Sequence, residues 1–369
     1  MTASFLIGLG TALPTYELEQ SELGRVLCEY LQLDGRSERL LHRVLGNPAV
    51  RTRYSVLPDF SHRSGAALYG ATSPALEDRM NVYRQEAPRL AARAGAIALR
   101  QAGVDVEELS QLIVVSSTAA YTPGPDAAIA HELGVPPTTE RAFLSMMGCS
   151  GAFHGLHLAR NMIHSGPVLV VCVELSSIHL GIPRDDGHLV AHALFGDGAA
   201  AMVLGSASDH SLLEFGTSRT FVDHEARDVV RWDLTERGFV TVLGRELPNV
   251  LRKHIRRFVE PLALEAGFAQ PGDVPSWALH PGGANVIRVL ADELSANSVI
   301  SSREVLSEIG NVSSCSVLFS LQRELQRHGG GIPGIMAGFG PGLTLSAVGY
   351  TTRPGSEAAT RHFPPSSIP

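Results

Sequence analysis

Cys149 lies in the run Gly148-Cys149-Ser150-Gly151, where the apolar stretch Ala142–Met147 predicts a strand handing over to the helical segment AFHGLHLARNMIH. A thiol at that junction faces unpaired backbone N–H groups and the positive end of a helix. Such a field depresses a cysteine pKa below about 8.5 and makes a nucleophile. The small neighbours Gly148, Ser150 and Gly151 let a thioester approach. A lone cysteine after a strand is more often a packing residue, so this reading needs companions. His280 ends the predicted strand WALH and is followed by Pro281-Gly282-Gly283, against which acyl or pantetheine atoms could lie. Histidines at the carboxyl ends of strands in α/β proteins are well placed for a site. Most of the 15 histidines must be incidental, and His42, His154, His157, His164, His254 and His328 read so. Asn311 sits at a predicted helix start, where an asparagine is ordinarily an N-cap. Paired with His280, it would give one carbonyl oxygen two neutral donors, which is what stabilising an enolate requires.

The elements that must position these residues are readable in outline. FLIGL (5–9) predicts a strand, 19–45 a helical region, 47–84 surface loops with short helices, and 86–102 a strong helix. LIVVSST (112–118), VLVVCVEL (168–175) and FGDGAAAMVLG (195–205) predict buried strands. Strands alternating with helices imply βαβ units in a sheet covered on both sides. The second half reads as a looser copy of the first. WALHPGG takes the part of VVSSTAA, Gly310-Asn311-Val312-Ser313-Ser314 that of Gly148-Cys149-Ser150-Gly151, and FGPGLTLSAVG that of FGDGAAAMVLG. The predicted fold class is α/β, internally duplicated. One half spans residues 1–205 and carries the cysteine; the other spans 206–351 and carries the histidine and asparagine. The tail, 352–369, is read as disordered or surface-laid.

Composition bounds the function. The chain has 369 residues, 44% of them hydrophobic, and a formal charge of -7, so nothing suggests a nucleic-acid surface. The 37 glycines fit tight βα turns. The N-terminus lacks a basic region and a long apolar run, so no signal peptide is expected, and no apolar stretch is long enough for a membrane helix. Cys28, Cys149, Cys172 and Cys315 match no zinc or disulfide spacing, so free thiols in a reducing cytoplasm are expected. Cys28, Cys172 and Cys315 read as packing residues.

In these residues and their spacing, the chain resembles the chalcone synthase-like type III polyketide synthases of the thiolase superfamily, from about residue 5 to 351. The matching stretches are GCSGAFHGLHLA, VLVVCVELSS, ALFGDGAAA, LHPGG, REVLSEIGNVSS and AGFGPGLT. The GFGPG loop separates the family from the ketoacyl synthases of similar fold. The resemblance implies a thiolase-like αβαβα layered fold and an acyltransferase that loads an acyl starter on Cys149. Malonyl-CoA would then be decarboxylated with its carbonyl held by His280 Nε2 and the Asn311 amide. The enolate would attack the Cys149 thioester, and cyclisation would give a pyrone or resorcinol. It implies CoA thioesters as substrates, no metal or redox cofactor, and a homodimer.

The same resemblance assigns Phe195 as a gatekeeper and places Ser117, His179, Trp232, Thr241 and Ser313 around the cavity. It puts Thr122 before a cis proline at the dimer interface, reaching the partner's cavity. It puts Arg43 on the CoA phosphate, with Gly282 and Gly283 along the tunnel. Two lysines of the family's CoA site read Leu40 and Asn47 here, so Arg39, Arg51 or Arg53 would have to compensate, or an acyl carrier protein would deliver the starter. The composite pattern looks more like bacterial members that act on fatty acyl starters than like the plant flavonoid enzymes. The alternatives are a ketoacyl synthase III-like enzyme making one condensation and a non-catalytic acyl-binding subunit. The intact Cys149, His280 and Asn311 set weighs against the last.

Overall fold

The computed structural model of the protein describes residues 3–31, 33–46, 49–60, 67–69, 73–181, 186–236, 238–295 and 297–354. The strands are β1 (Ser4–Ala12), β2 (Tyr16–Glu19), β3 (Thr52–Ser55), β4 (Gln111–Ser116), β5 (Glu140–Ser145), β6 (Val168–Leu175) and β7 (Asp197–Gly205). They continue with β8 (Leu213–Val222), β9 (Val230–Thr235), β10 (Gly238–Leu243), β11 (Ser276–Leu279), β12 (Pro333–Gly340) and β13 (Thr344–Thr352). The helices are α1 (Gln20–Leu31), α2 (Gly35–Leu45), α3 (Leu76–Ala102), α4 (Pro125–Leu133), α5 (Gly151–Arg160) and α6 (Asp186–Leu194). The last four are α7 (Leu247–Glu265), α8 (Ala284–Glu293), α9 (Ile300–Glu308) and α10 (Ser316–Arg327).

Nine strands form one sheet in the order β11-β12-β13-β8-β1-β7-β6-β4-β5. Reading outward from the central β8–β1 pair, β1-β7-β6-β4 matches β8-β13-β12-β11. In both halves the first two pairings are antiparallel and the last is parallel. The duplication expected from the sequence is therefore present in the strand order. β5 has no counterpart among the described residues of the second half.

Alternation along the strands sends side chains into separate layers. Leu112, Val114, Leu169 and Val171 face α3 and the N-terminal helices. Ile113, Val115, Val170 and Cys172 face the other way, onto α5 and α10. Met336 and Val348 of the second half meet the same two helices from their far side. Trp277, Leu279, Ile335 and Leu345 face outward onto α7 and α8. The layers thus run αβαβα, with α5 and α10 in the middle. β4 and β6 are buried on both faces, which is why they read as unbroken apolar runs.

Several boundaries differ from the sequence expectation. The helical region 19–45 is two helices, broken at Asp34, whose side chain accepts from the Ser37 N–H at 2.8 Å as the α2 N-cap. β3 lies inside the stretch read as loops and pairs with β2. α3 begins at Leu76 rather than 86, with Pro88 inside it. A proline in a helix interior normally argues for a break, and here tertiary burial of Tyr83, Ala87, Pro88 and Leu90 outweighs it. Asn47 and residues 355–369 lie outside the described residues.

Candidate active site

Cys149 occupies a 3-10 turn, Gly148–Ser150, that leads directly into α5. The approach from β5 is tightly bent: Met146 has φ 60° and Gly148 φ 55°. A left-handed methionine is unusual and marks a turn held by its surroundings. Three contacts hold it. The Gly148 N–H donates to Ser117 Oγ at 2.7 Å, and Ser150 Oγ donates to the Met147 carbonyl at 2.9 Å. Pro341, from the GFGPG turn between β12 and β13, lies where a Cβ on Gly148 would go. The glycine is required there twice, for φ and for the close approach.

His280 follows β11, and its N–H still donates to the Ala337 carbonyl at 2.9 Å. The ring is buried edge-on to Phe339, with centroids 5.2 Å apart. Both ring nitrogens are buried without a hydrogen-bond partner among the described residues. Buried polar atoms are nearly always paired, so two orphans on one imidazole suit it to meet a ligand. Asn311 is held from both sides of the molecule. Its N–H donates to Leu194, its carbonyl accepts from Gly196, and it forms an isolated parallel bridge with Phe195. Its Oδ1 accepts from the Ser313 N–H at 2.8 Å and Ser316 Oγ at 3.3 Å. That network uses the oxygen for the backbone turn and leaves the Asn311 NH2 to donate into the chamber shared with Cys149.

Cys149, His280 and Asn311 line one chamber with Phe195, Trp232, Leu243, Leu247, Phe339 and Pro341. Leu243, Leu247 and Gly282 also line an outer groove of about 730 Å³, and Phe195 and Trp232 also wall an inner cavity of about 50 Å³. Mouth, chamber and inner cavity therefore share walls in that order. An aromatic chain closes the inner end: Phe195 to Trp232 at 6.4 Å, Trp232 to Phe239 at 6.5 Å and His179 to Phe239 at 4.5 Å. Trp232 and Thr241 are cross-strand partners on the β9–β10 hairpin, so both of these positions reach the cavity from one ribbon.

The expected depression of the Cys149 pKa is overturned. Burial pushes the thiol up to about 12, against hydrogen bonds from Ser313 and Asn311 that lower it. The Cys149 S–H points at Ser313 Oγ, 3.8 Å away. Burial also pulls the His280 imidazole down to about 3, so it is neutral. A thiolate alone or an imidazolium alone is costly in this chamber. A thiolate and an imidazolium formed together would each offset the desolvation of the other.

The remaining assignments divide. His179 lines the inner cavity, its Nε2 3.0 Å from the Thr118 carbonyl, and burial lowers its pKa to about 3. Thr122 is exposed and precedes a cis peptide to Pro123. Ser313 is buried beside Cys149 with φ 47°. Ser117 does not line the cavity; it braces the nucleophile turn, and Thr118 takes the lining position. Arg43, Leu40, Gly282 and Gly283 line the mouth, and a Cβ on Gly282 would strike Phe339. Of the arginines considered as compensation, Arg39 is at the mouth. Arg51 instead binds Ser307 Oγ at 2.8 Å, away from it. Arg53 is buried and donates to the carbonyls of His192 and Phe195, both at 2.7 Å. Arg36 and Arg245, which the sequence reading passed over, join the mouth and share Asp186.

Glu174 was also passed over. It is fully buried at the end of β6, and its carboxylate accepts from the Ser117 N–H at 3.0 Å, Thr118 Oγ1 at 3.0 Å and Ser314 Oγ at 2.6 Å. It thereby ties the segment that braces Cys149 to the segment that follows Asn311. Burial raises its pKa to about 7, offset in part by those bonds. A single acid inside the apolar run VLVVCVEL was the signal that marked it.

A buried cysteine in one chamber with a neutral imidazole and an amide, on a duplicated five-layer fold, is the arrangement of a condensing enzyme of the thiolase type. Comparison with known proteins gives the family. Residues 2–208 match the N-terminal domain, and residues 215–351 the C-terminal domain, of the chalcone and stilbene synthases. The chain is 29% identical over 360 residues to the alpha-pyrone synthesis polyketide synthase-like Pks18 of Mycobacterium tuberculosis, covering 94% of this chain and 91% of that one. It is 30% identical to type III polyketide synthase 21 of Oryza sativa, covering 94% and 92%. PKS-I from the brown alga Ectocarpus siliculosus superposes with a TM-score of 0.87 at 26% identity, covering 95% of this chain and 99% of that one. The chain belongs to the chalcone and stilbene synthase family, the type III polyketide synthases.

Proposed function

We propose that Cys149 carries the growing acyl chain while His280 and Asn311 activate malonyl-CoA. The observation that carries this reading is the pair of unpartnered ring nitrogens on His280, in one chamber with the Asn311 amide and the Cys149 thiol. In loading, Cys149 gives its proton to His280 and attacks the starter thioester. A carbon–sulfur bond forms, and the CoA sulfur leaves with the proton from His280. In extension, a ring N–H of His280 and the Asn311 NH2 hold the malonyl thioester oxygen. The bond to the carboxylate breaks, carbon dioxide leaves, and the electron pair becomes an enolate held by those two donors. The enolate carbon attacks the Cys149 thioester, a carbon–carbon bond forms, and the thiolate is released for reloading.

Arg36, Arg39, Arg43 and Arg245 at the mouth suit the phosphates of CoA. Beyond Phe195 and Trp232, about 50 Å³ remains, which favours a short starter and few extensions before closure to a pyrone or resorcinol. We also infer a cytoplasmic homodimer. β5 is an edge strand of the nine-stranded sheet, and Met146 and Met147 beside it are 41% and 38% exposed, an apolar edge that a partner would cover. No helix among the described residues is long and apolar enough to cross a membrane.

The test is mass spectrometry of products from purified enzyme with malonyl-CoA and starters from acetyl- to stearoyl-CoA, aromatic starters included. Pyrones or resorcinols carrying two or three malonate-derived units on short starters are expected. Products built mainly on stearoyl-CoA would overturn the starter assignment. A singly extended β-ketoacyl product, or turnover only with an acyl carrier protein, would overturn the iterative reading in favour of a ketoacyl synthase III-like one.

A further inference from the structure

On the outer side of the N-terminal helices, away from the chamber, Cys28 of α1 faces Glu38 and His42 of α2. α1 and α2 run antiparallel: Gly24 meets Leu45 and Cys28 meets His42. Glu38 and His42 are one helical turn apart, so both side chains leave α2 on one face. One atom, His42 Nε2, lies 3.9 Å from Cys28 Sγ and 3.7 Å from Glu38 Oε1. All three donor atoms fall within 4.8 Å of one another. The His–Glu separation is too long for a good hydrogen bond. Around a tetrahedral zinc ion, sulfur–nitrogen and nitrogen–oxygen edges would be about 3.6 and 3.3 Å from the usual bond lengths. Those two edges need shifts of a few tenths of an ångström, and the sulfur–oxygen edge, within 4.8 Å here, must close to about 3.6 Å.

We propose that Cys28, Glu38 and His42 form a zinc-binding site that clamps α1 to α2, with water in the fourth position. A thiolate, an imidazole and a carboxylate together favour a borderline-soft ion over magnesium or calcium. Binding breaks the Cys28 S–H bond, releases its proton to solvent and forms the zinc–sulfur bond, with no redox change. The side chains of Glu38 and His42 are half exposed or more, so an ion has a path in. The cysteine spacing alone concealed this set because the ligands come from two helices and one of them is a carboxylate. The clamp has a mechanical consequence: α2 also carries Arg36, Arg39 and Arg43 at the mouth of the groove, so fixing α2 against α1 fixes those guanidinium groups.

The test uses full-length, tag-free protein stripped with a chelator, with Cys149→Ala as background to remove the chamber thiol. Cobalt(II) and zinc(II) are the probes. Cobalt should give a thiolate charge-transfer band with d–d bands of tetrahedral intensity, at one equivalent per chain. Zinc should displace it and slow amide exchange in α1 and α2. Cys28→Ser should remove the charge-transfer band, and His42→Ala should weaken zinc binding by about tenfold or more. Circular dichroism should show both variants folded. A charge-transfer band that survives Cys28→Ser, binding below one equivalent, or amide exchange in α1 and α2 that zinc leaves unchanged would each overturn the proposal.

Discussion

The two halves of the sheet repeat one strand order but end in different chemistry. In the first half β5 delivers the chain to Cys149 through a tight turn. In the second half no strand among the described residues occupies the corresponding place. α9 leads instead to Asn311, whose backbone is fastened to Leu194, Phe195 and Gly196 of the first half. The Cys149 turn is thus held by Ser117 of its own half and Pro341 of the other, and the Asn311 backbone is fastened to the first half. Glu174 joins the two through Ser117 and Ser314. The duplicated scaffold divides the labour: one copy is proposed to hold the covalent intermediate, the other to meet developing negative charge.

That division can be broken in graded ways. Cys149→Ala removes the first half's contribution, and product formation should fall by about 10³-fold or more with loss of acyl labelling by a radiolabelled starter. Gly148→Ala keeps the thiol but denies the turn its φ 55° and collides with Pro341. It should destabilise the protein by about 2–3 kcal/mol in urea unfolding and lower loading more than it lowers malonyl-CoA decarboxylation.

Glu174→Gln addresses the link between the halves. The native carboxyl has its pKa raised to about 7 from 4.5, so between those values the folded state holds a proton that the unfolded state has lost. Stability is therefore highest below pH 4.5 for this group and declines as pH rises through 7, by about 3 kcal/mol as an upper figure. Thermal unfolding across pH 4.5–8 should show that decline in the wild type and a flatter profile in Glu174→Gln. Arg43→Ala, at the exposed mouth, should have the smallest effect: KM for malonyl-CoA up by about three- to fivefold at low salt and less at high salt, with kcat nearly unchanged.

Much of this was legible in the sequence because it is local. Cys149, His280 and Asn311 each sit at an abrupt change of pattern, from an apolar run to Gly- or Pro-rich punctuation. The duplication showed as three matched blocks in one order. What escaped depends on contacts between distant segments. Ser117 looks like a lining residue until its hydroxyl is seen under Gly148. Arg51 and Arg53 lie near Arg43 in the chain but turn to Ser307 and to the carbonyls of His192 and Phe195, while Arg245 comes to the mouth from beyond the β9–β10 hairpin. The cysteine pKa was misjudged for the same reason: the helix start is local, but the burial that outweighs it is built by both halves together.

The most direct test of the divided labour is carbon dioxide release from malonyl-CoA without starter, measured side by side for wild type, Cys149→Ala and Asn311→Ala. The structure predicts that Cys149→Ala stays within about tenfold of wild type while Asn311→Ala falls by about 10²-fold or more. Equal loss in both variants, or decarboxylation that survives in Asn311→Ala, would contradict it.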